Sequence, residues 1–305
     1  MDKDTDNKEL IDKILQLKKK RNAVILAHNY QRPEVQDIGD FVGDSLELSR
    51  NAAKTDADVI VFCGVHFMAE TASILSPNKV VLLPDADAGC PMANMITAED
   101  LVKKKKEVRG AHVVCYVNSS AAVKAESEIC CTSANAVEVV RTVGDGEIIF
   151  VPDKYLGHFV SEKLNRPMIL WPGFCPTHVR IQPEDILKQK KKYPEAVVLV
   201  HPECRPEVTA VGDEVLSTGG MLKFARQTEA KVLIIGSEIG ILHRMRKENP
   251  GKTFIPASEK AICPNMKKIT LEKILWALED MKPEVKVPED IRLTAKSAVD
   301  KMLAV

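Results

Sequence analysis

Three stretches of this 305-residue chain can be laid over one another, and that repetition restricts the fold more than any single motif does. Each stretch opens on a β-rich apolar run: Val24-Ile25-Leu26-Ala27, Val113-Val114-Cys115-Tyr116 and Val197-Val198-Leu199-Val200, with starts separated by 89 and 84 residues. A second run, Val59-Ile60-Val61-Phe62, Ile148-Ile149-Phe150-Val151 and Val232-Leu233-Ile234-Ile235, repeats the same two spacings. A third run, at 80–83, 168–171 and 253–255, leads into a loop that contains proline, with glycine as well in the first two copies. Helix starts follow at Thr97-Ala-Glu-Asp100, Gln182-Pro-Glu-Asp185 and Thr270-Leu-Glu-Lys273. The first has a capping residue followed by acids, and the second has proline in its first turn.

Short apolar runs alternating with helical stretches specify βαβ units, with parallel pairing and right-handed crossovers. The expected fold class is α/β: three homologous three-layer αβα sandwich units with short parallel sheets, arranged with pseudo-threefold symmetry around a central active site. The units are expected at residues 1–96, 97–181 and 182–269, with 270–305 a C-terminal helical segment packing back on the first. No Gly/Ser linker separates them, so tight packing is expected.

Forty-three basic and forty-three acidic residues leave no net charge, which argues against nucleic acid or a membrane surface and leaves a small molecule as partner. The lysine runs 103–106 and 190–192 fall on expected helices, where solvated outer faces explain them. The charged start of the chain, with no apolar run near the ~18 residues of a membrane span, points to a cytoplasmic protein. Cytosolic thiols stay reduced, so the eight cysteines are read as core residues or metal ligands rather than disulfides.

Cys90, Cys175 and Cys263 occupy one structural position, the loop after the third strand of each unit, and each precedes a proline. Ligands of open α/β sheets gather at the carboxyl ends of strands, so three such loops can bring three thiolates to one point. Buried structural cysteines are the alternative reading, and the repeat in register favours metal. Paired Cys-x-x-Cys knuckles of structural zinc are absent, while a catalytic zinc would accept three scattered ligands. A [4Fe-4S] cluster on three thiolates would leave one iron open as a Lewis acid. Cys63 and Cys115 are expected in the core, and Cys130, Cys131 and Cys204 lack threefold counterparts.

The first strands run into His28-Asn29-Tyr30, Tyr116-Val117-Asn118-Ser119 and His201-Pro202-Glu203, polar clusters where binding and catalytic groups are expected. Ser45, Ser133 and Ser217, separated by 88 and 84 residues, precede helices. They are N-caps, or they help three helix N-termini form an anion trap for carboxylates and phosphate. Tyr30, His201 and Glu203 are proposed proton-transfer groups, with His178 joining them or ordering its cysteine loop.

The strings Leu26-Ala-His-Asn-Tyr-Gln31, Gly43-Asp-Ser45, Phe67-Met-Ala-Glu70, Cys90-Pro-Met-Ala-Asn94, Tyr116-Val-Asn-Ser119, Thr132-Ser-Ala-Asn135, Cys175-Pro-Thr-His178, His201-Pro-Glu-Cys204, Ser217-Thr-Gly219, Ser237-Glu-Ile-Gly240 and Asn265-Met-Lys267 resemble those of the quinolinate synthase family. The resemblance implies condensation of iminosuccinate with dihydroxyacetone phosphate to quinolinate, losing phosphate and two waters, in NAD biosynthesis. It also implies one [4Fe-4S] cluster per chain on Cys90, Cys175 and Cys263. By matching positions, His28, Ser45, Tyr116, Asn118, Ser133, His201, Glu203 and Thr218 are implied substrate-binding residues, with Ser217 beside them in its motif. Tyr30, His178, His201 and Glu203 are the expected catalytic set.

The chain departs from some members in the last loop, where Cys263-Pro-Asn-Met266 replaces a Cys-x-x-Cys-x-x-Cys run, so no disulfide switch is expected there. The resemblance also implies transient contact with an aspartate-oxidising enzyme that supplies the unstable imine. Another [4Fe-4S] hydro-lyase acting on a dicarboxylate, or a non-catalytic iron–sulfur redox sensor, are the alternatives. The sensor would have no need for the polar residues at three strand ends.

Overall fold

The protein, described here by a computed structural model over residues 3–305, contains three four-stranded sheets flanked by helices. The first is built from β1 (Ala23–His28), β2 (Phe41–Gly43), β3 (Val59–Cys63) and β4 (Val80–Leu82). The second comprises β5 (His112–Tyr116), β6 (Ile129–Cys131), β7 (Ile148–Val151) and β8 (Ile169–Leu170), and the third β9 (Val197–Val200), β10 (Glu214–Val215), β11 (Val232–Gly236) and β12 (Thr253–Pro256).

All neighbouring strands within the sheets pair in parallel, and every sheet has the order second, first, third, fourth. The chain therefore crosses over its own first strand between the second and third. That crossing makes a switch point between the first and third strands, where a ligand crevice opens at their carboxyl ends.

β3 and β7 are buried at every residue, as a strand covered by helices on both faces must be, which explains their unbroken Val/Ile/Phe runs. The sequence shows three strands per unit, and the structure has four. The extra strands β2, β6 and β10 are two or three residues long, too short to express a period-two pattern.

All three aligned helix starts are capped, two by the cap hydroxyl and one by the acid three residues on. The Thr97 hydroxyl accepts the N–H of Asp100 at 3.1 Å, the N–H of Gln182 is accepted by Asp185 at 3.0 Å, and Thr270 accepts the N–H of Lys273 at 3.4 Å. Helix Leu271–Asp280 lies against the N-terminal helix Lys3–Lys20 and β3. Residues 283–285 then hydrogen-bond along β4, and helix Glu289–Ala304 crosses to the second sheet, against helix Ala121–Ala125 and β6. There the Met302 carbonyl accepts from Asn135 at 3.2 Å.

The loop carrying Cys175 is anchored by backbone. Asp153 and Gly173 form a parallel bridge just past β7, and the N–H of Lys154 donates to the Gly173 carbonyl at 2.9 Å. A Cβ on Gly173 would run into the Pro152 carbonyl oxygen, so this approach needs glycine. Gly173→Ala is expected to lower stability by about 1–3 kcal/mol. Gly251→Ala, where a Cβ meets nothing within 4 Å, is expected to be near neutral. Thermal melts of the two variants check this.

Candidate active site

The carboxyl ends of the three sheets face one cavity of about 180 Å³. Cys90, Cys175 and Cys263 line it, together with His28, Tyr30, Ser45, Tyr116, Asn118, Ser133, His178, His201, Glu203 and Thr218. Ser217 stands one residue back: its hydroxyl caps helix Thr218–Gln227 by accepting the N–H of Gly220 at 3.1 Å.

His28 and His201 are made by the same turn. The Nδ1 of each accepts the backbone N–H two residues on, from Tyr30 and from Glu203, both at 3.2 Å. In a neutral ring the proton is then on Nε2. Burial pushes both imidazoles down to about 3, so both are neutral at physiological pH.

Glu203 is also buried, which opposes ionisation. His178, with Nδ1 2.7 Å from Glu203 Oε2, outweighs that burial, and His201 and the Tyr116 phenol add to it. The carboxyl is therefore held below its ordinary range. Asn118 Nδ2 donates to the other oxygen at 3.2 Å, leaving Asn118 Oδ1 buried without a hydrogen-bond partner in the protein.

His178 stacks on His201 with ring centroids 4.6 Å apart, and its Nε2 lies 3.1 Å from Ser237 Oγ. Ser237 Oγ is in turn 2.7 Å from the Tyr30 hydroxyl. A hydrogen-bonded chain thus runs Tyr30–Ser237–His178–Glu203. Burial and the nearby Glu203 push the Tyr30 phenol well above its ordinary value. One end of the chain keeps its proton and the other stays ionised, the separation that divides acid from base work in one site.

Each cysteine opens a turn that enters a short 3₁₀ helix, at Ala93–Met95, His178–Arg180 and Met266–Lys268. Each sulfur accepts the N–H of the residue three positions on: Ala93, His178 and Met266. Hydrogen bonds of this kind tune metal-bound thiolates. The loops are also tied together, since Asn265 Nδ2 donates to the Gly89 carbonyl at 2.7 Å.

Burial lifts the Cys90 thiol to about 12 and raises Cys175 and Cys263 as well, so a cation binding there has to displace protons. Among the described residues, the donors lying within 4.8 Å of one another are Cys175, His178 and Glu203, not the three sulfurs. A single zinc, with Zn–S of about 2.3 Å, would hold its sulfurs no more than about 4.6 Å apart. The sulfur triangle is too wide for that. The closer group is already joined by hydrogen bonds, with His178 Nδ1 3.1 Å from Cys175 Sγ as well as bonded to Glu203.

Four lining or adjoining residues were missed as site residues. Asp44 Oδ1 accepts the N–H groups of Leu46 and Glu47 at 3.0 and 2.9 Å, and its carboxylate also accepts the N–H of Gly219 from the third unit. A Cβ on Gly219 would come within 2.6 Å of Asp44 Oδ2. One carboxylate therefore serves two helix N-termini, filling part of the expected anion trap with a protein anion, and burial raises its pKa to about 6. The Asp44-x-x-Glu47 capping pattern was a usable signal. Arg180 supplies an exposed guanidinium to the cavity. Ser237 and Glu238 follow the apolar run of β11, as His28 ends β1 and His201 follows β9, a parallel that could have found them.

A family model described as NadA, quinolinate synthetase A protein, matches residues 12–304. A protein from Dehalococcoides mccartyi (strain CBDB1) named quinolinate synthase is 61% identical over 299 residues, covering 98% of this chain and 99% of its own. Proteins of the same name from Thermodesulfovibrio yellowstonii and Methanosarcina barkeri are 58% and 57% identical, over 96% and 97% of this chain and 97% and 98% of theirs. The match covers all three sheets, the three cysteine loops and every cavity residue described above, and the chain belongs to the quinolinate synthetase A protein family.

Proposed function

We propose that this chain is a quinolinate synthase: it condenses iminosuccinate with dihydroxyacetone phosphate to quinolinate, releasing phosphate and two waters, in de novo NAD biosynthesis. The observation that carries the reading is one cavity holding three metal-competent cysteines beside a protonated phenol, an ionised carboxylate and two neutral imidazoles. Full-length relatives bearing that name support it.

Cys90, Cys175 and Cys263 hold one [4Fe-4S] cluster per chain. When bound, the cluster supplies a Lewis-acidic iron. The remaining roles belong to the protein. Ser45, Ser133 and Thr218 offer hydroxyls to phosphate and carboxylate oxygens. His28 and His201 donate from Nε2 without bringing charge. Asn118 Oδ1 accepts an N–H or O–H of the substrate, and the Tyr116 phenol hydrogen-bonds Glu203. Glu203 takes protons as the base, Tyr30 gives one as the acid, and Ser237 with His178 connects them.

The units divide near residues 96, 181 and 269; the C-terminal segment packs back on the first through helix Leu271–Asp280 and residues 283–285, while helix Glu289–Ala304 packs mainly on the second. The protein works in a reducing, cytoplasmic setting, with iminosuccinate handed over transiently by an aspartate-oxidising enzyme. Among the described residues, no helix is long and apolar enough to cross a membrane.

Protein purified anaerobically is expected to carry about four irons and four sulfides per chain and to form quinolinate from the two substrates. Cys90→Ala, Cys175→Ala and Cys263→Ala should each abolish both properties, while Cys63→Ala should keep both; equal behaviour of all four variants would defeat the assignment. Glu203→Gln is expected to lower kcat by about 10²- to 10⁴-fold, measured by quinolinate absorbance. His28 titrates at 6.5 when unfolded and at about 3 when folded, so the unfolded chain binds more protons between those values. Its stabilising contribution is complete above pH 6.5 and is lost as pH falls toward 3, by up to about 1.4 kcal/mol per pH unit. Urea melts of metal-free protein from pH 7 to 4 should show His28→Asn losing less stability than the parent.

A further inference from the structure

The string Ser237-Glu-Ile-Gly240 includes a carboxylate that the proposed chemistry does not use. Glu238 stands just past β11, is wholly buried, and is one of the residues lining the cavity. A carboxylate in that position is costly unless its oxygens are fully bonded, and here they are. Oε1 accepts the backbone N–H of Cys263 at 3.1 Å, and Oε2 accepts the N–H of Gly240 at 2.7 Å. The Lys267 ammonium lies 3.0 Å from Oε1 and 3.3 Å from Oε2. The same ammonium donates to the Tyr30 carbonyl, and the Lys267 carbonyl accepts from Arg32 Nε at 2.8 Å. A Cβ on Gly240 would come within 2.7 Å of Lys267 Nζ and 2.8 Å of Glu238 Oε2, so the packing leaves no room for a side chain there.

We infer that Glu238, clamped by Lys267, is a positioning residue that fixes the Cys263 loop so that its sulfur stays turned toward the other two cysteines. Resting on the cluster reading above, this assigns the ion pair to metal retention rather than to proton transfer.

The geometry explains why this loop needs such a device. The Cys175 loop is bridged by backbone to the end of β7, through Asp153, Lys154 and Gly173. The Cys263 loop has the N–H of Ile239 donating to the Ala261 carbonyl at 3.0 Å just before the ligand. At the ligand itself, the Cys263 N–H goes to a side chain. That side chain is held by a cation four residues beyond the cysteine, so loop and clamp close on each other. The bond reaches Cys263 through its backbone and does not engage its sulfur.

Glu238→Gln keeps the size of the side chain but presents an amide N–H to groups that themselves donate, and leaves Lys267 without its counter-charge. The test has two arms. In metal-free protein, iodoacetamide labelling followed by mass spectrometry should show Cys263 in Glu238→Gln labelled about tenfold faster relative to Cys90 of the same molecule. In anaerobically reconstituted protein, iron transfer to a ferrous chelator should be about tenfold faster in Glu238→Gln, and accelerated in Lys267→Met. General loosening of the fold would raise Cys90 and Cys263 labelling together and would overturn the assignment, as would parental iron-release rates in both variants. Should Glu238→Gln not fold, the release rate of Lys267→Met decides in the same sense. If the parent binds no iron while the labelling ratio still rises, the clamp stands and the cluster reading falls.

Discussion

Parallel pairing is the constraint on which everything else in this molecule depends. In a parallel sheet all carboxyl ends point the same way, and the order second, first, third, fourth opens a crevice between the same two strands in each unit. Three such crevices facing inward make one cavity whose wall is drawn from residues nearly 240 positions apart, from His28 to Met266. An antiparallel arrangement would send alternate strand ends to opposite sides and leave each polar cluster alone.

Convergence also creates the site's electrostatic character. The cavity keeps His28 and His201 neutral and the Tyr30 phenol protonated, yet the Glu203 carboxylate among them remains ionised because an imidazole lies 2.7 Å from it. Burial by itself would have neutralised Glu203 along with the others. The His178–Glu203 contact therefore makes the difference between a set of hydrogen-bond donors and a site that also holds an ionised acceptor. The two residues follow strands of the second and third sheets, so neither sheet holds the pair alone.

Much of this was legible in the chain. The spacings of 89 and 84 residues located the first and third strands of each sheet, and the repeated loop after the last strand set Cys90, Cys175 and Cys263 apart from the other five cysteines. What escaped notice was of two physical kinds. Strands of two or three residues, such as Glu214–Val215, are too brief to carry a periodic signal and exist because a neighbouring strand offers them partners. Contacts between units leave no local trace either: nothing around Asp44 says that its carboxylate will also meet Gly219, and nothing around Glu238 says that it will meet Cys263 and Lys267. Ser45, Ser133 and Ser217 share a register but not a role, because each helix starts at a slightly different residue relative to it.

The distribution of the three cysteines also bears on how the protein comes into being. Each sulfur belongs to a different sheet, and the last lies at position 263 of 305. The strands of the first and second sheets precede the third in the chain, yet they bring only two of the three sulfurs. If the three sulfurs hold one metal centre as proposed, they can do so only once all three sheets have closed on one another, which would make a loaded site a record of completed assembly.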